Sequence, residues 1–144
     1  MKVVKATKEA CTKGAIRVFV YGTLRKSHAN NVILKDSKYI GASSITVPGK
    51  MIDFGGFPGV VGIKGAPDKT VFGEVYEIDE ETLNALDWLE SHPRFYERQK
   101  IKTDDGIRVW AYILPDAARY DQFPIVTSNI WRGTDDEQEF WAVA

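Results

Sequence analysis

The sequence predicts an α+β fold in which strands dominate and two or three helices are inserted, shaped as a curled sheet or a small barrel. Three observations support this prediction. Short runs rich in β-branched and aromatic residues recur along the chain, separated by turns that contain glycine or proline. One segment after Asp79 has leucines at helical spacing. Two runs in the last third are joined by Asp104-Asp105-Gly106, a strong hairpin signal.

The predicted strands are bounded by residues that favour turns, and the first of them, 16–21, stops at Gly22. The others cover residues 39–41, 45–52, 60–63, 71–78, 95–103 and 107–114. The dipeptide Pro48-Gly49 is expected to break the strand over 45–52.

Two helices are predicted between these strands. The segment 27–34 is typical of a short helix with Ser27 as its N-cap. A longer amphipathic helix begins after Asp79, carries leucines at positions 83, 86 and 89 on one face, and is expected to end at Pro93.

Composition indicates an ordinary soluble protein of 144 residues, 44% hydrophobic and 27% charged. We interpret residues 1–15 as an N-terminal extension and residues 16–144 as one domain.

Nineteen basic side chains face twenty acidic ones, for a net charge of −1. Because a nucleic-acid-binding protein needs a basic surplus on one face, no nucleic-acid partner is expected.

The sequence also predicts the cellular compartment of the protein. Cys11 is the one cysteine, so no intrachain disulfide can form, and this fits a reducing cytoplasm. No apolar run approaches the roughly 20 residues of a membrane span, and residues 1–14 lack the apolar core of a secretory signal. We therefore expect a cytoplasmic protein without membrane contact.

Motifs for cofactors are missing from the sequence. It has no Gly-x-Gly-x-x-Gly or Walker-type phosphate loop, and no His/Cys cluster with zinc spacing. Its two histidines, His28 and His92, stand beside loop residues. We expect no metal and no cofactor; if the chain is an enzyme, carboxylates, tyrosines and backbone amides are its chemical groups.

The first candidate site is the corner where the strand over 16–21 ends, Tyr21-Gly22-Thr23-Leu24. A strand that stops at a glycine turn leaves N–H groups that can form a concave site for an anion or an oxygen atom. Gly22 lets a ligand approach the main chain closely. The alternative is an ordinary corner between strand and loop.

The second candidate is Glu90, at the C-terminal end of the leucine helix. Apolar neighbours and the negative end of the helix dipole would both raise its pKa above about 4.3. A carboxyl group tuned toward neutrality suits general base catalysis. The alternative is an exposed glutamate before a turn.

Two further candidates follow from local pattern. Tyr96 and Arg98 are two residues apart on a predicted strand, so both side chains would face one pocket, where Arg98 would clamp a carboxylate. The run Gly55-Gly56-Phe57-Pro58-Gly59 would be a rigid loop that presents an aromatic ring. A solvated strand edge and a structural corner are the respective alternatives.

Four segments of the chain form a set in a fixed order. They are Val18-Phe19-Val20-Tyr21-Gly22-Thr23-Leu24-Arg25, Gly56-Phe57-Pro58-Gly59, Val71-Phe72-Gly73-Glu74-Val75-Tyr76, and Leu86-Asp87-Trp88-Leu89-Glu90 followed by Tyr96-x-Arg98. In order and spacing, this set resembles the gamma-glutamylcyclotransferase-like proteins. The resemblance covers residues 16–114 and implies a small mixed barrel with flanking helices. It also implies an enzyme in which the α-amino group of a gamma-glutamyl substrate attacks its own side-chain amide and releases 5-oxoproline.

The resemblance assigns a role to each matched residue. Backbone groups of Tyr21, Gly22, Thr23 and Leu24 would hold the glutamyl head, and Glu90 would be the general acid and base. Tyr96 and Arg98 lie in the segment that completes the substrate site. Neither a metal nor a covalent intermediate is implied.

Several alternatives remain open at the level of sequence. Many members of the family have Glu-Gly where this chain has Glu90-Ser91-His92-Pro93. The amine side of the substrate can belong to a gamma-glutamyl amino acid, to gamma-glutamyl-lysine or to a protected biosynthetic amine. A binding module without turnover is the rival reading, and a hydrolase in which Glu90 activates water is a third.

Overall fold

The computed structural model describes residues 3–25 and 28–131, which form one six-stranded sheet and one α-helix. The strands are β1 (Ile16–Val20), β2 (Lys38–Asp53), β3 (Pro58–Gly62), β4 (Asp68–Ile78), β5 (Glu97–Lys102) and β6 (Arg108–Ile113). The helix is α1 (Glu80–Leu89), and 3-10 helices cover Lys8–Ala10, Ala29–Leu34 and Ala118–Tyr120. The sheet order is β3-β2-β4-β1-β6-β5, and all pairs are antiparallel except β1 with β6.

Strand β2 is continuous, so the predicted break at Pro48-Gly49 is wrong. The dipeptide instead marks a change of partner: Pro48 pairs with Asp68 at the end of the β2–β4 ladder, and Gly49 pairs with Gly62 of β3. Gly49 has a φ of 149°, and a Cβ there would lie 1.9 Å from the Val61 carbonyl oxygen. The turn-forming residues thus bend the strand without ending it.

The sheet curls until β3 approaches the end of β6. The Gly62 N–H donates to the Leu114 carbonyl oxygen at 3.0 Å, and the Leu114 N–H donates to the Val60 carbonyl oxygen at 2.8 Å. Closure stops at this isolated bridge because β6 already has β1 and β5 as its two neighbours. The α+β class and the curled sheet are confirmed, and the closed barrel is wrong.

Helix α1 begins as the sequence predicts. The Asp79 side chain accepts a hydrogen bond from the Thr82 N–H at 2.7 Å, which caps the first turn. Leu83 and Leu86 are buried against one face of the sheet, in a cluster that includes Val20. The alternation of β1 explains this cluster, since Val18 and Val20 point to the helix side while Phe19 enters the core on the other face.

The N-terminal residues that are described dock on the sheet. Ala6 is buried, and its N–H donates to the Ala42 carbonyl oxygen on β2 at 2.8 Å. The Ala42 N–H donates in turn to the Val4 carbonyl oxygen at 2.7 Å. Ser27, the predicted N-cap, and residues 132–144 lie outside the described residues. Where the sequence predicted a helix over 27–34, the structure has a 3-10 helix that begins at Ala29. Within the described residues, no helix is long and apolar enough to cross a membrane.

Candidate active site

A cavity of about 460 Å³ opens where β1 ends. Its walls come from the loop after β1, the segment 56–58 that ends at the first residue of β3, the end of α1, and the adjoining turn that leads into β5. Tyr112 on β6 contributes to the wall as well. Six of the seven predicted site residues line it, namely Tyr21, Gly22, Thr23, Leu24, Glu90 and Tyr96.

The loop after β1 presents unpaired backbone donors. Among the described residues, no protein group accepts a hydrogen bond from the N–H of Gly22, Thr23 or Leu24. Three successive N–H groups that line a concavity favour an anion or a carbonyl oxygen. The corner thus has the concave shape expected from the sequence, and its role in binding a ligand stays a prediction.

The next 3-10 helix holds this loop in place. The Asn30 N–H donates to the Thr23 carbonyl oxygen at 2.9 Å, and the Asn30 side-chain amide donates to the Thr23 hydroxyl at 2.8 Å. The Asn31 side-chain amide donates to the Leu24 carbonyl oxygen at 2.7 Å. Asn30 also lines the cavity. The sequence analysis missed both asparagines, because their bonds span seven residues and no local pattern marks them.

At Gly22, the loop after β1 and the segment 56–58 approach each other too closely to leave room for a side chain. A Cβ at this position would lie 2.8 Å from Cδ and 3.0 Å from Cγ of Pro58. Pro58 is the last residue of the segment 56–58, so the absence of a side chain at Gly22 lets that segment close over the loop.

Tyr21 has its hydroxyl fully engaged in the core. It donates to the Tyr112 carbonyl oxygen at 2.7 Å and accepts from the Val60 N–H at 3.1 Å. Burial raises the pKa of this phenol, so it stays protonated. The side chain therefore fixes β1, β3 and β6 relative to one another and forms part of the cavity floor.

Glu90 lies half-buried at the end of α1, facing the same cavity as the loop donors. Its backbone N–H donates to the Leu86 carbonyl oxygen at 2.9 Å, so it occupies the C-cap position. Burial raises the pKa of its carboxyl group to about 7. The sequence predicted this direction from the apolar neighbours, and burial is the cause that the structure gives.

The helix ends before Pro93 because Ser91 turns the chain. Ser91 has a φ of 54°, in the left-handed region that normally follows a helix C-cap and favours glycine. The Phe95 N–H donates to the Ser91 carbonyl oxygen at 2.9 Å, which closes the turn. As a result, Phe95 and Tyr96 line the cavity beside Glu90.

Arg98 does not face the cavity, which contradicts the prediction that it and Tyr96 share one pocket-facing surface. The Arg98 Nε lies 2.9 Å from Asp87 Oδ1, and its guanidinium carbon lies 4.3 Å from the centre of the Trp110 ring. The alternation argument failed because β5 begins at Glu97, one residue after Tyr96. Asp87 also accepts from the Tyr112 hydroxyl at 2.7 Å, so the ion pair supports the back of the cavity wall.

The two histidines are also outside the cavity wall. His92 accepts the Arg98 N–H on Nδ1 at 2.9 Å, and the His28 ring lies 5.5 Å from the Trp131 ring. No group of three or more His, Cys, Asp or Glu residues with metal-binding geometry occurs in residues 3–25 and 28–131.

Comparison with known proteins gives consistent matches over most of the chain. Residues 18–133 match the family model described as "Gamma-glutamyl cyclotransferase, AIG2-like". A protein from Vibrio cholerae is 37% identical over 114 residues, covering 79% of this chain and 93% of that protein. The gamma-glutamylcyclotransferase family protein YtfP from Escherichia coli K12 is 34% identical over 120 residues, covering 83% of this chain and 99% of its own.

Solved structures show the same fold. The solution structure of YtfP from Escherichia coli superposes with a TM-score of 0.58 at 31% identity, covering 81% of this chain and 96% of that one. A mouse AIG2-like protein superposes with a TM-score of 0.66 at 24% identity, covering 79% and 87% of the two chains, and this likeness concerns the fold. On the family model and the relatives of similar length, this chain belongs to the AIG2-like gamma-glutamyl cyclotransferase family.

Proposed function

We propose that the protein is a cyclotransferase that releases 5-oxoproline and a free amine from a gamma-glutamyl compound, with Glu90 as general acid and base. The observation that carries the proposal is the position of Glu90. A carboxyl group with a pKa of about 7 lines the same cavity as the N–H groups of the loop after β1, which have no acceptor among the described residues.

The loop donors suit the glutamyl head of such a substrate. The α-carboxylate is an anion and the γ-carbonyl carries an oxygen acceptor, and both can be bound by the N–H groups of Gly22, Thr23 and Leu24. A head held there brings the α-nitrogen near its own γ-carbonyl carbon. Because nucleophile and electrophile belong to one molecule, orientation supplies much of the rate.

Glu90 carries the protons of the reaction. The α-ammonium gives a proton to the ionised Glu90, and the free amine attacks the γ-carbonyl carbon to form the five-membered ring. Glu90 gives this proton to the departing nitrogen as the C–N bond breaks. The ring nitrogen then gives its second proton to the ionised Glu90, which releases it to water. In neutral water the released amine takes up another proton, so two protons leave the attacking nitrogen and two reach the departing one. A carboxyl group with a pKa near the working pH serves both steps.

The arrangement of the walls supports this role for Glu90. The Tyr96 hydroxyl donates to the Pro58 carbonyl oxygen at 2.5 Å, and the Tyr112 hydroxyl donates to Asp87. These hydroxyls are bound to protein acceptors, whereas no described residue donates a hydrogen bond to the Glu90 carboxylate. Among the acidic and phenolic groups of the cavity wall, Glu90 is therefore the one available to a substrate.

The test is detection of 5-oxoproline by mass spectrometry after incubation with gamma-glutamyl amines and gamma-glutamyl dipeptides. We expect product from the wild type and a loss of about 100-fold or more in Glu90→Gln, the scale of general acid–base catalysis. Glu81→Gln is the matched control, because Glu81 is an exposed glutamate on the same helix.

Each alternative gives a different result in this assay. Free glutamate in place of 5-oxoproline would indicate a hydrolase. Ligand binding by calorimetry without any product would indicate a binding module. Near-wild-type turnover in Glu90→Gln would contradict the assigned role of Glu90.

A further inference from the structure

Asn30 is bonded to Thr23 at two points, and both residues are half-buried in the cavity wall. The Asn30 backbone N–H donates to the Thr23 carbonyl oxygen at 2.9 Å, and the Asn30 side-chain amide donates to the Thr23 hydroxyl oxygen at 2.8 Å. In a planar trans peptide the C=O and N–H groups point in opposite directions, so the first bond also fixes the direction of the Leu24 N–H. The second bond acts on the hydroxyl group alone.

The bond from Asn30 determines what the Thr23 hydroxyl can do. A hydroxyl group has one hydrogen to donate and two lone pairs that accept. One lone pair is used by the Asn30 amide, and within residues 3–25 and 28–131 no protein group accepts the hydroxyl hydrogen. Thr23 is part of the cavity wall, so a ligand in the cavity can supply the acceptor. The pair therefore offers an oriented O–H donor to a ligand.

A gamma-glutamyl head has more acceptor positions than the backbone of the loop after β1 can fill. Its α-carboxylate has two oxygens with about four acceptor positions, and its γ-carbonyl oxygen has two lone pairs. The loop contributes three N–H groups, those of Gly22, Thr23 and Leu24. Hydrogen bonds to an ionised acceptor are roughly twice as strong as neutral ones, so the α-carboxylate gains most from a fourth donor.

We infer that the Thr23 hydroxyl donates a hydrogen bond to the α-carboxylate of the substrate, and that Asn30 is the positioning residue that orients this hydroxyl. The inference rests on the proposed function. It adds to the backbone donors one side-chain donor and the residue that directs it.

Two substrates that differ in one group test the inference. They are gamma-glutamyl-ethylamide and the same compound with its α-carboxylate converted to a carboxamide. The ratio of their kcat/KM values, for release of 5-oxoproline and of 5-oxoprolinamide respectively, measures the preference for the carboxylate. We expect Thr23→Val, which has a similar shape but no hydroxyl, to reduce the wild-type ratio about tenfold. Thr23→Ser keeps the hydroxyl and should retain most of the ratio.

The role of Asn30 is tested with the same ratio. Asn30→Ala leaves the Thr23 hydroxyl present but no longer oriented, so we expect a reduction of about threefold, smaller than in Thr23→Val. When Thr23 is already valine, Asn30→Ala should reduce the ratio no further, because no hydroxyl is left to orient. Asn84→Ala is the matched control, since Asn84 is an exposed asparagine on α1.

The ratio separates this role from a merely structural one. If the bond between Asn30 and Thr23 only stiffened the loop, its loss would lower kcat/KM for both substrates alike and leave the ratio unchanged. It would also make Thr23→Val and Asn30→Ala equivalent, because each removes the same bond.

The outcomes also separate the inference from the proposed function. Product release with the same ratio in the wild type and in Thr23→Val would overturn the inference and leave the cyclotransferase standing. A further fall of the ratio when Asn30→Ala is added to Thr23→Val would overturn the assignment of Asn30 as a residue that acts through Thr23. Absence of product from both substrates and from the other gamma-glutamyl compounds would overturn the proposed function and this inference with it.

Discussion

The Tyr96 hydroxyl donates a hydrogen bond to the Pro58 carbonyl oxygen at 2.5 Å, across 38 positions of sequence, in a buried environment. This bond joins the turn after α1 to the segment 56–58, which are two walls of one cavity. Pro58 also lies against Gly22, where a Cβ would be only 2.8 Å from the Pro58 Cδ. The loop after β1 is therefore a third wall that meets the other two at Pro58. The geometry around Glu90 depends on that junction.

We expect Tyr96→Phe to lower both stability and activity. Removal of the hydroxyl leaves a buried carbonyl oxygen without its donor, which costs about 1–3 kcal/mol of unfolding free energy. A shift of the walls by a fraction of an ångström is expected to lower kcat/KM by roughly tenfold or more. Urea unfolding and 5-oxoproline release measure the two effects.

Tyr120→Phe is the control for that experiment. The Tyr120 hydroxyl accepts a bond from the neighbouring Arg119 at 2.8 Å, outside the cavity wall. We expect it to change activity less than Tyr96→Phe. Equal effects of the two substitutions would show that the Tyr96 bond has no special part in the site.

Activity should depend on pH through Glu90. Its pKa is raised to about 7, and the ionised form is the base, so kcat/KM is expected to rise as pH rises through 7 and then level off. Two pH units below the midpoint, kcat/KM should be about 100-fold below the plateau. The measurement is 5-oxoproline release between pH 5 and 9. A rising limb near pH 4.5 would contradict the burial of this carboxyl group.

The same shift predicts how Glu90→Gln alters stability. The pKa of Glu90 is higher in the folded state than the ordinary 4.5 of the unfolded chain, so the native state binds the proton more tightly than the unfolded state does. As pH rises above 4.5, ionisation of Glu90 therefore lowers the free energy of unfolding. The cost is complete above pH 7, at most about 3 kcal/mol. Glu90→Gln, which stays neutral, should therefore be more stable than the wild type at pH 8, with the difference nearly gone at pH 4.

Urea unfolding of both proteins at pH 8 and pH 4 measures this difference, with Glu81→Gln as the control. Glu81 is exposed, so Glu81→Gln removes a carboxylate without removing a buried charge, and it should change stability at pH 8 less than Glu90→Gln does. A wild type more stable than Glu90→Gln at pH 8 would mean that the Glu90 carboxylate has stabilising partners in the native state.

The features that the sequence predicted well are local ones. The start of the helix after Asp79 and the hairpin turn at Asp104-Asp105-Gly106 depend on residues within one or two turns of each other. The raised pKa of Glu90 followed from its sequence neighbours, because the end of an amphipathic helix lies at the border of the core.

The features that it missed depend on contacts between distant segments. Arg98 was assigned to the pocket by strand alternation, but its ion pair with Asp87 on α1 holds it elsewhere. In the sequence, Pro48-Gly49 is typical of a strand break. In the structure the chain stays extended through this dipeptide, because β4 pairs with β2 up to Pro48 and β3 pairs with it from Gly49 onward. The contact of Gly22 with Pro58 requires the curl of the whole sheet, which no local pattern encodes.

Gly22→Ala should disrupt the loop donors. The new Cβ would lie 2.8 Å from Cδ of Pro58, and the proline ring cannot rotate away, so one wall must move. We expect a loss of roughly tenfold to a hundredfold in kcat/KM and about 1–3 kcal/mol in stability. At Gly62, by contrast, the nearest atom is Ile113 Cγ2 at 3.4 Å, so Gly62→Ala is the control. Full activity in Gly22→Ala would show that the walls tolerate separation.

Ser91→Gly is expected to stabilise the protein. Ser91 has a φ of 54°, where a residue with a Cβ is strained by about 1–2 kcal/mol and glycine is not. Part of that gain is offset because glycine has more freedom in the unfolded chain, which leaves about 0.5–1 kcal/mol. Ser91→Ala is the matched control: it retains the Cβ and should give no such gain. Urea unfolding at one pH compares the three proteins, and equal stability of the glycine and alanine variants would mean that the left-handed turn after Glu90 stores no strain.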